Sequence, residues 1–409
     1  MSTMKRASIL LSVALVSAAC TTSTTSTPDE TEQAAPAPAA PVEQTSATPR
    51  LALSYDGGVL VLDADTLAVV ADIPAEGFLR LNPAANGRHV LVSRSDGFEV
   101  LDLGTWTDRH GDHRHYYTAA PALTGVRFGG AKPGHVVAHD GLLTLFSDGT
   151  GAVEVVDPAD LLDGDAQART VTTRPPHHGV AVARADGTTV VSVGDEETRT
   201  GAVILDGIAA PVAATDDCPG LHGEAGAADG VLTLGCQDGV LIVRGNSIQK
   251  VAAPDPYGRI GNQAGSAVSP VVLGDYKTDP EAELERPRRF TLTDTAAGTI
   301  TVVPIDTSYS FRSLGRGPRG EAVILGTDGH LHVYDPASAQ RTAHLPAIAA
   351  WTEPDDWQSP MPDLHIQDGI AYVSDPAGPR LVAVDLADGA VVAEAPVAHP
   401  GIELTGVGG

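Results

Sequence analysis

A chain of 409 residues with a formal net charge of −26 and a pI near 4.7 has length enough for a large core, and its acidity argues against phosphate-binding or anionic-lipid surfaces. Nucleic acid is therefore not an expected partner. The same charge raises the local concentration of cations around the molecule.

In chain order, Lys5 and Arg6 precede an apolar run from Ile9 to Val16 and then Ser17-Ala18-Ala19-Cys20. This is the layout of a secretory signal over residues 1–20, with a run too short to span a bilayer. Small residues before Cys20 fit a bacterial lipoprotein cleavage box with lipid on Cys20; Ser17, in place of the usual Leu, keeps a plain signal peptide as the alternative. Residues 21–50 are rich in Thr, Ser, Pro and Ala with few large apolar side chains, which predicts a disordered tether.

From residue 51 to 409 one unit recurs: a short apolar strand, an Asp-Gly or Pro-Gly turn, a second strand and often a closing Asp. Leu51 to Asp63, His89 to Asp102, Val136 to Leu145, Val231 to Val243, Ala322 to Asp335 and Ile370 to Asp385 are copies, about 40 to 50 residues apart. Short strands at that period, with no helical pattern between them, predict a single all-β domain, a β-propeller. Eight blades is the primary count, with seven as the alternative because 264–305 is irregular and carries a charged insertion from Lys277 to Arg289. The strands at Leu51 begin without an inner partner, and Ile402 to Val407 supplies one, closing the ring and removing exposed edges.

Two features carry chemistry. Asp108 to Tyr117 holds His110, Asp112, His113 and His115 around a Gly111-Asp112 turn, a density of imidazole and carboxylate that fits either a metal ion or a solvated polar loop. The residues before each inner strand line one mouth of a propeller. Repeat openings at Phe78, Leu123, His177, Leu221, Ile260, Ser310 and Leu364 put His178, His222 and His365 in one slot, with His178-Gly179 matching His222-Gly223. Three imidazoles and a displaceable fourth donor make a removable Zn²⁺ site. Cu²⁺ is the competing ion at nitrogen donors. Arg80 and Arg312, at other openings, are candidates to hold a carboxylate. Cys218 and Cys236 are an even pair in an oxidising compartment and are expected to be bonded, with a zinc–thiolate site as the rival. His89, His330 and His332 read as surface residues; His135, His139, His344 and His399 show no partner in the sequence. There is no Gly-x-Ser-x-Gly, His-Glu-x-x-His or phosphate loop.

These residues together, the Asp-x-His-Gly-Asp-His-x-His-Tyr-Tyr loop and Cys218-Pro219-Gly220-Leu221-His222-Gly223-Glu224 above all, resemble the AztD family of extracytoplasmic zinc metallochaperones. The resemblance implies a non-enzyme that binds Zn²⁺ near the propeller centre and hands it to the solute-binding protein of a zinc ABC importer. It places His178, His222 and His365 on the ion, with His110, Asp112, His113 and His115 on a loop that covers or loads the site. A monomer, in contact with the membrane through lipid on Cys20 alone, is expected. Two other readings stand beside it: a secreted lactonase- or dehydrogenase-like propeller enzyme, and a non-catalytic scaffold lipoprotein.

Overall fold

The computed structural model describes residues 40–162 and 169–409. The signal segment, Cys20 and the tether to residue 39 lie outside the described residues. The expected tether ends early: Val42–Gln44 is a strand paired with His113–Thr118, and Arg50 already belongs to Arg50–Tyr55.

The regular structure of the described residues is almost wholly strand, with two short 3₁₀ turns beside it. Eight antiparallel sheets of four or five strands follow one another along the chain. The middle strands are apolar on both faces, as in Arg50–Tyr55 and Gly58–Asp63, whereas outer strands such as Val69–Pro74 are half exposed. Strands buried on both faces must be covered on both sides, so each sheet needs two neighbours. Alternation along a strand delivers this. Leu51 and Leu53 enter the cluster shared with Tyr372 and Leu381 of the last sheet, and Ala52 between them enters the cluster with Leu79 and Val90 of the next. Eight such clusters, each between consecutive sheets, run round the molecule and return to the start. The fold is a β-propeller.

Closure is as expected. Leu404–Val407 pairs with the Arg50–Tyr55 strand, Arg50 opposite Val407 and Leu53 opposite Leu404, so the two ends of the chain share one sheet. The hairpin turns also follow from the sequence. Asp140-Gly141 and Asp368-Gly369 have positive φ at both residues, the mirror-image turn whose twist matches that of antiparallel strands.

Two expectations need correction. Leu123 does not open a repeat: Ala122–Phe128 is the outermost strand of the second sheet, paired with Gly97–Asp102. It lies beyond an inserted hairpin, Thr105–His110 and His113–Thr118. The next inner strand is Pro133–His139. The irregular stretch 264–305 does form a sheet, Gln263–Ala264, Val271–Asp275, Arg289–Asp294 and Thr299–Pro304, with the charged insertion as a loop between its second and third strands.

Candidate metal centre

Three consecutive sheets each send one imidazole to one place. His135 sits in the Pro133–His139 strand, where the pairing shifts register between Pro133 and Val136. Such a bulge re-aims a side chain that regular alternation would send elsewhere. His178 precedes the Ala181–Ala183 strand, and His222 precedes Glu224–Gly226. The His222 approach is fixed by the Cys218–Cys236 disulfide, as expected from the even pair; it ties the chain four residues ahead of His222 to the neighbouring strand.

The ring centroids lie 5.3 Å (His135–His178), 5.4 Å (His135–His222) and 5.2 Å (His178–His222) apart. One nitrogen of each ring lies within 4.8 Å of one from both others. Tetrahedral Zn–N bonds of about 2.0–2.1 Å set nitrogens about 3.4 Å apart, so small ring movements bring all three onto one ion.

Every Nδ1 is already taken by an oxygen. His178 Nδ1 lies 2.6 Å from Asp148 Oδ2, His135 Nδ1 lies 3.0 Å from Glu224 Oε2, and His222 Nδ1 donates to the Gly261 carbonyl at 2.7 Å. Hydrogen bonds at Nδ1 of His178 and His222 leave each Nε2 lone pair for a metal and make it more basic, while His135 Nδ1 is held in an ion-pair contact with Glu224. Burial disfavours the charged form of His135, but the Glu224 carboxylate outweighs it and raises the imidazole above its ordinary value. Burial and the neighbouring rings of His135 and His178 push His222 well below its own.

The three rings line a cavity of about 400 Å³. Its far wall comes from the charged insertion, through Lys277 and Glu285, and from Glu353 and Trp357. The insertion is pinned there: Thr278 N and Asp279 N donate to Glu285 Oε2, both at 2.8 Å, and Arg286 donates to the Glu353 carbonyl at 2.7 Å. Burial raises the Glu353 carboxyl to about 7, against Lys277 and Arg286. His178 is the most open of the three rings, 42% exposed.

The other candidates fall elsewhere. His365 does not join His178 and His222. Ladder pairing aligns Leu364 with Glu224, so His365 is one residue inside its strand while His222 stands two before its own. Its ring lies 6.4 Å from that of Tyr372, and a Cβ at Gly406 of the closing strand would come within 2.9 Å of its Nε2. Burial lowers its pKa to about 4. His110, Asp112, His113 and His115 occupy the inserted hairpin and do not line the cavity. His115 Nδ1 lies 2.7 Å from Glu43 and His113 Nδ1 3.2 Å from Asp112. Arg80 and Arg312 do share a carboxylate, that of Glu403, at 3.0 and 3.7 Å. His89 and His332 are buried rather than surface residues. The histidines without an evident partner have one: Glu224 for His135, Asp140 for His139, Asp328 for His344 and the Tyr55 ring for His399. A sequence signal for His135 existed. It stands 43 residues before His178, as His178 stands 44 before His222, each close after Pro or Gly.

Three imidazoles gathered from neighbouring sheets around one cavity are a donor set of the kind that suits a transition-metal ion. No protein-family profile matches the chain. The chain is a relative of the zinc chaperone AztD of Citrobacter koseri, with which it is 25% identical over 361 residues, 85% of this chain and 82% of that protein. The crystal structure of Citrobacter koseri AztD matches with a TM-score of 0.78 at 24% identity, over 89% of this chain and 99% of that one. Its apo structure matches at 0.77 and 23%, over the same shares. The dihydro-heme d1 dehydrogenase NirN shares the fold alone, with a TM-score of 0.57 at 14% identity over 88% of this chain and 75% of that one.

Proposed function

We propose that this protein is an extracytoplasmic zinc metallochaperone that carries Zn²⁺ on His135, His178 and His222 and passes it to the solute-binding protein of a zinc ABC importer. The observation that carries the reading is the set of three imidazoles whose Nδ1 atoms all face oxygen; the zinc chaperone among its relatives agrees with it. Three protein donors leave one tetrahedral position for water or for a group of the recipient, which is what a carrier, as opposed to a closed structural site, requires. His178, at the open side, is the ligand nearest to exchange. The exposed hairpin with His110, Asp112, His113 and His115 serves as an outer capture point, and lipid on Cys20 keeps the carrier at the membrane. In this reading His135 takes the place expected of His365, and the protein is not an enzyme.

The test is metal retention. Wild-type protein should keep one Zn²⁺ through gel filtration, and His178→Ala/His222→Ala should lose it. Tightly held zinc in the double variant sinks the reading. Mixed with a zinc-importer solute-binding protein, the loaded protein should transfer its ion faster than zinc dissociates into a chelator.

A further inference from the structure

The cavity in front of the three imidazoles is larger than one metal ion needs. At about 400 Å³ it falls in the range of about 300–1,000 Å³ that buries small organic ligands. Its walls are largely apolar, with Leu284, Pro287, Phe311 and Trp357 among them, and the Phe311 and Trp357 rings stand 6.5 Å apart at a steep angle. Trp357 is half exposed, so the cavity reaches solvent beside it.

The charged groups that face this space are unevenly engaged. Asp275 accepts the Gly261 and Asn262 N–H groups at 2.6 and 3.0 Å, and Glu285 accepts those of Thr278 and Asp279, so both carboxylates are occupied within the fold. Lys277 lines the far wall, and its ammonium makes no hydrogen bond or ion pair among the described residues. A half-buried ammonium has lost solvation that a counter-ion restores. In a chain with 52 acidic against 26 basic side chains, one left without a carboxylate at a cavity wall is free to meet an anion from outside. Glu353 stands near it, close enough for Lys277 to oppose the effect of burial on its carboxyl. Its Oε2 is buried without a hydrogen-bond partner. Burial raises that carboxyl to about 7, and in its protonated form it adds a donor beside the ammonium.

We propose that this cavity takes a small organic dicarboxylate together with the metal. One carboxylate completes the coordination of the ion on His135, His178 and His222, the other meets Lys277, and the hydrocarbon between them lies against Phe311 and Trp357. The inference rests on the metal reading above. Two positive groups on opposite walls call for two negative ends, which is why a dicarboxylate fits better than a simple fatty acid. Such a co-ligand holds the fourth tetrahedral position until a recipient supplies its own donor.

The experiment is a calorimetric titration of the full chain, loaded with one Zn²⁺, using glutarate and, as the control with a single charged end, butyrate. Glutarate should bind the loaded protein at least about tenfold more tightly than the metal-free protein, and at least about tenfold more tightly than butyrate, the effect of one charged hydrogen bond. Lys277→Gln should bring glutarate down to butyrate and still keep zinc through gel filtration, with an unchanged metal-free melting temperature to verify the fold. Lys277→Arg, which keeps the charge, should retain the preference. With Co²⁺ in place of zinc, glutarate should shift the visible absorption of the ion, which reports its ligands. Zinc kept but no glutarate bound, equal binding of the two acids, a Lys277→Gln variant that still tells them apart, or an unmoved Co²⁺ spectrum overturns the co-ligand and leaves the central metal site standing. Zinc lost from the wild type overturns the metal site, and the co-ligand with it.

Discussion

Glu224 sets the protonation of the proposed centre through a single contact, 3.0 Å from His135 Nδ1. Because the carboxylate raises the His135 pKa, a proton competes with zinc there from above the ordinary value of about 6.5 downwards. His222, held well below that value, adds no competition near neutrality. Glu224→Gln should weaken zinc by about 10- to 100-fold and move the pH midpoint of binding to lower pH, read by chelator competition between pH 5 and 8. An unchanged midpoint would show that the carboxylate does not act on the ligand. His365 gives the opposite sign. Its folded pKa is lowered to about 4, so the unfolded chain takes up a proton first as pH falls, and stability is lost between about 6.5 and 4. That window is worth about 3 kcal/mol. His365→Gln should flatten stability against pH in urea unfolding while leaving tight zinc binding unchanged. His178 and His222 were legible in the sequence because both stand before a glycine that opens a strand. His135 carried only the spacing signal, 43 residues before His178, because a bulge aims it and a bulge leaves no pattern of period two.

At the scale of the element, the stretch between Cys218 and Cys236 shows how a short constraint serves a site. The bond ties residue 218 against the strand that follows His222, and Gly235 O accepts from the His222 N–H at 3.0 Å, so the histidine is held from both sides. Closing a loop of this length is worth about 3 kcal/mol. Cys218→Ser/Cys236→Ser should cost about that much in denaturant unfolding and speed zinc release more than zinc capture, measured by stopped flow with a chelator. Equal release rates would mean that strand pairing alone positions His222. This pairing was readable from cysteine count and compartment. The role of the charged insertion was not: that Lys277 to Arg289 folds over the cavity depends on Glu285 accepting two backbone N–H groups and on Arg286 reaching the Glu353 carbonyl, contacts between positions without shared periodicity. Sequence similarity also misled once. Leu123-Thr124-Gly125-Val126 resembles Leu404-Thr405-Gly406-Val407, yet one lies on an outer strand and the other on the closing inner strand, because both are short β segments around a glycine and nothing local marks depth in a sheet.

Over the whole molecule, the ring puts donors from three sheets beside one another only while it stays shut, so closure and metal binding are linked. The closing strand does more than pair. Glu403 Oε1 lies 3.0 Å from Arg80 Nε and 3.7 Å from Arg312 Nη2, its Oε2 accepts from Leu81 N–H at 2.9 Å, and Asp363 Oδ2 accepts from Leu404 N–H at 2.7 Å. Residues of the second, seventh and eighth sheets thus converge on two buried carboxylates at the seam. Removing Glu403 would leave the largely buried Arg312 without that partner, a change that costs about 3–5 kcal/mol when a buried pair is broken from one side. Zinc that binds only the closed ring adds about 2.7 kcal/mol at a hundredfold excess over Kd, about 3 °C in melting temperature for a domain of this size. Glu403→Ala should lower the metal-free melting temperature, yet zinc should raise it by the same few degrees if the ring still closes. Deletion of residues 402–409 removes both the partner strand of Arg50–Tyr55 and the seam, and should abolish the zinc-dependent shift altogether. A truncated chain that retains the full shift would show that the three histidines are assembled by their own sheets without need of the ring.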